Sequence, residues 1–238
     1  MGEPVSKVDL KHVFEFYRAL GLDEFPFTAG PRVENGEMKK ISKKQNLAGQ
    51  EKKAALEKFF HEKIEGCTGC KLSAKRTNIV FGEGNPGARL MFIGEAPGRE
   101  EDKQGRPFVG RAGQLLTNLI LKLGLKREDV FIANIVKCRP EDNRDPEEDE
   151  ISSCLPFLKK QIELISPEAI ISLGRVSAQT LLQTTVQISR LRGKFSSFEG
   201  IPLMPTFHPS YLLRNPRDKI LTWEDALQVL DLLGLKAP

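Results

Sequence analysis

RLMFIGEAPGREEDKQGRPFVGRAGQLLTNLILKLG, residues 89–124, opens on an apolar run, breaks into a long loop and closes on a helical pattern. The run RLMFIG has no polar alternation, which is how a strand buried on both faces of a parallel sheet reads. In residues 112–124 the apolar positions recur at helical spacing and a glycine ends the pattern. Between strand and helix, residues 94–110 hold four glycines, two prolines, five consecutive charged residues and one phenylalanine, Phe108. The charged middle reads as a solvent-facing detour. The stiff end, Arg106-Pro107, reads as returning Phe108 towards the strand end.

The alternation continues downstream. VFIANIV (130–136) is a strand, and 146–165 a helix opened by Asp145-Pro146 with an acidic first turn. AIISLG (169–174) is a strand, VSAQTLLQ (176–183) a helix, IPLMPTF (201–207) a fourth strand and WEDALQVLDLLGL (223–235) a terminal helix. This pattern predicts an α/β fold with a parallel four-stranded sheet flanked by helices on both faces. In such folds ligands bind beyond the carboxyl ends of the strands. The residues placed there are Gly94, Glu95, Ala96 and Pro97, then Asn134, Lys137 and Cys138, then Gly174 and Arg175, and finally His208, Pro209 and Ser210.

Upstream, residues 6–22 have the spacing of a short amphipathic helix, residues 21–46 are rich in Gly, Pro and Lys, and residues 48–66 read as a helix ending at Gly66. Residues 1–50 are therefore expected to be an appendage, and 51–238 the main domain. The appendage is either a packing or loosely ordered segment or an arm for a repair or replication partner.

The 238 residues suit one domain plus an extension, and 29% charged with 39% hydrophobic residues is the balance of a soluble globular protein. No apolar run approaches the roughly 20 residues of a membrane helix. The start, MGEPVSKVDL, lacks the apolar core of a secretory signal, so a cytoplasmic protein is expected. Gly2 with Ser6 fits a short acylation pattern that occurs often by chance. The net charge of +4 permits a polyanionic partner without requiring one.

The four cysteines are Cys67, Cys70, Cys138 and Cys154. In a reducing compartment two disulfides are not expected. One close pair and two spread members suggest a four-thiolate metal site. Zinc usually takes two close pairs, whereas an iron–sulfur cluster presents several metal corners and tolerates spread ligands. Spacing alone leaves both open. Of the histidines, His12 and His61 read as surface or structural, since four thiolates already complete a ligand set.

GCTGCKL, residues 81–116 from FGEGNPGARLMFIGEAPGREE onward, NIVKCRP, the later Cys154 and TFHPSYLLRNP occur in order from about residue 66 to 216. Together they resemble the family 4 uracil-DNA glycosylases, the iron–sulfur type of bacteria and archaea. The resemblance implies that family's three-layer fold and a structural four-iron four-sulfur cluster on Cys67, Cys70, Cys138 and Cys154. It also implies a uracil pocket of Gly94, Glu95, Ala96, Phe108, Asn134 and His208. A related group forms a covalent bond to DNA and carries an extra basic loop before the His motif; FEGIPLMPTFHPS has no such insertion, which implies ordinary turnover.

Each role has a physical reason beside a plainer one. Phe108 would stack on the base, or else anchor a loop. The amide of Asn134 carries a donor and an acceptor, so it can read the edge of uracil against cytosine; otherwise it bonds to backbone. His208 would donate to O2 as the departing uracil gains charge, or else cap the following helix. Glu95 would place water or balance a cationic sugar, or else bond to the next amides. Ser210 and Arg214 would grip phosphate, and Leu212 or Leu213 would fill the gap left by the flipped base. Arg106, Arg111, Lys137, Arg139, Arg175, Arg192 and Lys194 are further phosphate candidates. The expected substrate is uracil in double- or single-stranded DNA, acted on by a monomer that needs no catalytic cofactor. The rivals are a non-catalytic iron–sulfur DNA-binding accessory protein, an electron carrier, and a glycosylase for other deaminated bases.

Overall fold

Leu90 and Phe92 bury on one side of the central sheet and Met91 and Ile93 on the other, so this strand has no solvent face. The computed structural model describes residues 43–238. The strands are β1 (Glu83–Gly84), β2 (Leu90–Gly94), β3 (Phe131–Asn134), β4 (Ala169–Leu173), β5 (Ser196–Phe198) and β6 (Ile201–Thr206). Their order across the sheet is β1-β3-β2-β4-β6-β5. The four strands expected from the sequence form the parallel centre, β3-β2-β4-β6, and Gly94 is paired with Asn134 at the strand ends.

The expected four-stranded parallel sheet is thus corrected to a six-stranded mixed one. β1 and β5 add antiparallel edges. Neither has a readable apolar pattern. β1 is two residues, with Gly82 at φ 139° and Gly84 at φ 130°. β5 joins β6 through Glu199 and Gly200, both at positive φ, the backbone of a two-residue hairpin turn.

The helices are α1 (Lys43–Phe59), α2 (Arg99–Gln104), α3 (Arg111–Lys122), α4 (Glu148–Ile165), α5 (Arg175–Leu182), α6 (Ile188–Leu191), α7 (Pro209–Arg214) and α8 (Lys219–Leu232). One sheet face packs on Leu158, Ile162 and Ile165 of α4, Leu181 of α5 and Leu56 of α1. The other packs on Leu116 and Ile120 of α3 and on Ala226, Val229 and Leu230 of α8. α1 starts at Lys43, ahead of the boundary expected near residue 50, and Lys52 Nζ donates to the Ile165 carbonyl at 2.7 Å. The helix expected over residues 6–22, His12 and the acylation pattern lie outside the described residues. Among the described residues, no helix is long and apolar enough to cross a membrane.

The charged middle of residues 94–110 is not a detour. It forms α2, and Asp102 is 4% exposed. Its Oδ1 accepts from the amides of Thr77 (2.9 Å) and Asn78 (3.3 Å). Glu101 Oε1 accepts from the amides of Val109 (2.9 Å) and Gly110 (2.8 Å). A run of charges at first reading is here two buried or half-buried acceptors that close a loop.

Candidate active site

The strand order puts a crossover on each side of β2, and a cleft opens at the carboxyl ends of the parallel strands, as this topology favours. The cleft, about 580 Å³, is lined by Glu95, Ala96, Phe108, Asn134, His208, Ser210 and Arg214 among others. Residues more than a hundred positions apart therefore share one space. Gly94 forms the floor beneath the Phe108 ring. A β-carbon there would lie 2.4 Å from Asn134 Oδ1 and 2.5 Å from Phe108 Cζ, so only glycine leaves room.

Asn134 ends β3 and is 1% exposed. Its backbone carbonyl accepts from Lys137 Nζ at 2.8 Å. Its side-chain Oδ1 is buried and has no hydrogen-bond partner among the described residues. Native interiors rarely leave such an acceptor unpaired, because desolvating it costs about 1–3 kcal/mol.

His208 follows β6 and caps α7. Its Nδ1 accepts from the Ser210 amide at 3.1 Å and lies 2.7 Å from Ser210 Oγ. A ring whose Nδ1 accepts carries its proton on Nε2. Burial, reinforced by the Arg214 charge, pushes its pKa down to about 4, so the ring is neutral near pH 7. The capping role and the donor role are thus two ends of one imidazole. Gly174, at φ 88°, admits the ring: a β-carbon there would lie 2.7 Å from His208 Cβ. The Phe108 and His208 rings are 5.7 Å apart between centroids, inclined by 37°.

Glu95 is half-buried. Burial first, and then the neighbouring Asp145 carboxylate, raise its pKa to about 7, with Arg175 opposing. Arg175 in turn pairs with Asp145. In the sequence Asp145 reads only as the residue before Pro146 at a helix start. The helix in fact begins at Glu148, which leaves Asp145 in a loop that lines the cleft.

Residues 81–230 match the model of the uracil DNA glycosylase superfamily. The chain belongs to this superfamily. Among its relatives is the type-4 uracil-DNA glycosylase of Thermotoga maritima, 48% identical over 167 residues, covering 69% of this chain and 87% of that protein. The type-4 enzyme of Saccharolobus solfataricus is 50% identical over 184 residues, covering 74% and 85%. That of Sulfurisphaera tokodaii is 48% identical over 187 residues, covering 75% and 84%.

Beside the glycosylase cleft, the helix α7 separates the two leucines. Leu212 is 3% exposed and offers nothing to a duplex, whereas Leu213 is 37% exposed. Several basic candidates for phosphate contact are already committed. Lys137 is 1% exposed and its Nζ also donates to Gln161 Oε1 at 2.6 Å, so it is a core residue and not a phosphate ligand. Arg192 pairs with the buried Asp225 and donates to the Leu221 carbonyl at 2.8 Å. Arg106 is held by Glu83 and Arg139 by Asn143. Arg111, Lys194 and Arg214 are exposed.

The four cysteines line one separate pocket, with Ile64, Ile79 and Phe157 among its walls. Among the described residues no three His, Cys, Asp or Glu side chains are drawn together tightly enough for a single ion. Three sulfurs already receive donors. The Gly69 amide lies 3.4 Å from Cys67 Sγ, Arg76 Nη1 lies 3.4 Å from Cys138 Sγ, and the Lys137 amide lies 3.3 Å from Cys154 Sγ. Such donors favour thiolates, while burial pushes the free thiols of Cys138 and Cys154 up, the latter to about 11. His61 pairs with Glu65 and stands outside this pocket.

Proposed function

We propose that this protein removes uracil from DNA by hydrolysis of the N-glycosidic bond, releases free uracil and leaves an abasic site for repair. The observation that carries the reading is the unpaired Oδ1 of Asn134 in a strand-end cleft beside Phe108 and His208. A uracil turned out of the stack brings N3–H to that oxygen and O4 to the amide Nδ2. Cytosine presents the opposite pattern and leaves both unpaired, which is worth roughly 1–3 kcal/mol of discrimination. Phe108 covers the face of the base, and Ala96 borders the same space.

Bond cleavage sends the bonding electrons to uracil and leaves a cationic sugar. The neutral His208, whose Nε2–H has no partner among the described residues, donates to O2 as its charge grows. Glu95, ionised above about pH 7, balances the sugar, holds the water whose oxygen bonds to C1′ and takes that water's proton, which passes in turn to the released uracil anion. Ser210 and Arg214 hold phosphate, and the exposed Leu213 enters the gap while the buried Leu212 anchors its helix. Cys67, Cys70, Cys138 and Cys154 hold a four-iron four-sulfur cluster. The fit rests on the donor set, the shared pocket and the N–H groups aimed at sulfur. When bound, the cluster supplies metal–thiolate links that pin the segment after α1 to the loop after β3 and to α4 itself; bond cleavage belongs to the cleft.

An accessory DNA-binding role gives no reason for a buried unpaired acceptor at the strand-end cleft. The test incubates the protein with uracil-containing and matched thymine-containing oligonucleotides, single- and double-stranded, and cleaves abasic sites with alkali. Uracil-dependent strand cleavage is expected, with free uracil recovered. Intact uracil strands would remove the enzymatic reading.

A further inference from the structure

We propose that Arg127 is a positioning residue for base binding: from behind the cleft it holds Phe108 in the backbone conformation that lays its ring over Gly94. The proposal rests on the reading of Phe108 as the wall that covers the base.

Phe108 has φ 52°, a left-handed backbone that a residue with a β-carbon rarely adopts. Such a conformation persists only where the surroundings over-determine it. Here they do so from both sides. Arg127 lies in the short 3₁₀ turn Arg127–Asp129 that leads into β3. Its Nη2 donates to the Pro107 carbonyl at 2.8 Å, and its Nη1 to the Phe108 carbonyl at 3.2 Å and to Thr117 Oγ1 at 3.1 Å. One planar fork therefore grips two consecutive carbonyls. The next two amides, Val109 and Gly110, are held by Glu101. Gly113 of α3 seats the backbone: a β-carbon there would lie 1.9 Å from the Phe108 carbonyl oxygen.

The fork is itself backed. Glu83 of β1 lies 3.7 Å from Arg127 Nε and takes both Nε (2.7 Å) and Nη2 (2.9 Å) of Arg106. The two-residue edge strand thus carries the carboxylate that latches residues 106–108 to the sheet. Arg127 is 17% exposed in its side chain and lines a recess with Gln104, Val109, Gln114 and Thr117, apart from the cleft that holds Glu95, Asn134 and His208. It has no route to the base except through Phe108. Lysine cannot replace it fully, since a single ammonium has no fork for two adjacent carbonyls.

A double-mutant cycle separates this role from general stability. Steady-state kcat and KM on a uracil oligonucleotide are measured for the wild type, Arg127→Ala, Arg127→Lys, Phe108→Ala and the Phe108→Ala/Arg127→Ala pair, each with its melting temperature. Misplacing a binding wall by about an ångström costs up to about 100-fold, so Arg127→Ala is expected to lower kcat/KM at least about tenfold, with Arg127→Lys in between. In the Phe108→Ala background the same change costs under about twofold, because contacting residues that act as a unit are not additive. An equal fold-loss in both backgrounds overturns the proposal, and so does wild-type kcat/KM in Arg127→Ala. If Arg127→Ala does not fold, Arg127→Lys with and without Phe108→Ala separates the same two outcomes. Undiminished activity of Phe108→Ala alone would instead remove the base-wall reading beneath the proposal.

Discussion

At Gly94 a single missing methyl group lets Asn134 Oδ1 and the Phe108 ring close in on the backbone at the head of the cleft. Gly94→Ala puts a β-carbon against both Asn134 Oδ1 and Phe108, and its backbone needs no unusual φ. The loss is therefore local: kcat/KM is expected to fall by about 100-fold, while the fold survives with the cost of about 1–3 kcal/mol typical of one overpacked methyl. Steady-state kinetics with a melting curve checks this. A large loss of stability with intact kinetics of the folded fraction would contradict it. Glu95 ties activity and stability to pH. Its pKa of about 7 lies above the usual carboxylate value because the charged form is desolvated beside Asp145. In the proposed mechanism the ionised form acts, so kcat is expected to rise about tenfold per pH unit towards pH 7 and then level. Glu95→Gln flattens that limb. The linkage has a definite sign: a raised folded-state pKa contributes stability below the unfolded pKa, and that contribution is lost as pH rises through 7. At pH 8 the buried charge costs up to about 3 kcal/mol, and Glu95→Gln is expected to melt higher than wild type at pH 8 but not at pH 4.

At the scale of elements, what was legible followed from length and apolarity. β2, β3, β4 and β6 are near-continuous apolar runs, and the strand-end rule then placed Glu95, Asn134 and His208 together. The elements that escaped reading carry no such pattern. β1 and β5 are two and three residues long and owe their place to positive-φ glycines and a hairpin turn. α2 hid behind its charges: REEDK reads as solvent-facing until the loop amides of Thr77, Asn78, Val109 and Gly110 are found on Glu101 and Asp102. Lys137 misled for the same reason, because a buried lysine that serves a carbonyl and a glutamine is indistinguishable in sequence from a surface one. Asp102→Ala tests the structural reading of α2. It strands two amides in a part-buried site, and the expected destabilisation is about 2–4 kcal/mol, read by chemical denaturation. A change under about 0.5 kcal/mol, typical of a surface charge, would return α2 to the role of a detour.

At the scale of the whole molecule, the two faces of the sheet divide the work. The face carrying α1 and α4 holds the cysteine pocket, and the face carrying α3 and α8 supports Phe108. The proposed cluster is therefore expected to matter for folding and not for the chemical step. Purified protein should be brown, with about four iron atoms per chain for a cluster of this type. Cys154→Ala should lose iron and melt well below wild type, whereas the folded fraction at low temperature keeps its uracil preference. Colourless, zinc-loaded protein would contradict the cluster.

The proposed mechanism depends most on a neutral His208 that stabilises departing uracil. Its most direct test is His208→Ala, with single-turnover excision and DNA affinity measured on the same uracil duplex. The rate is expected to fall about 10²–10³-fold with affinity within about threefold, because the donor acts on charge that exists only as the bond breaks. Matching losses in rate and affinity would contradict it and place His208 in the DNA grip.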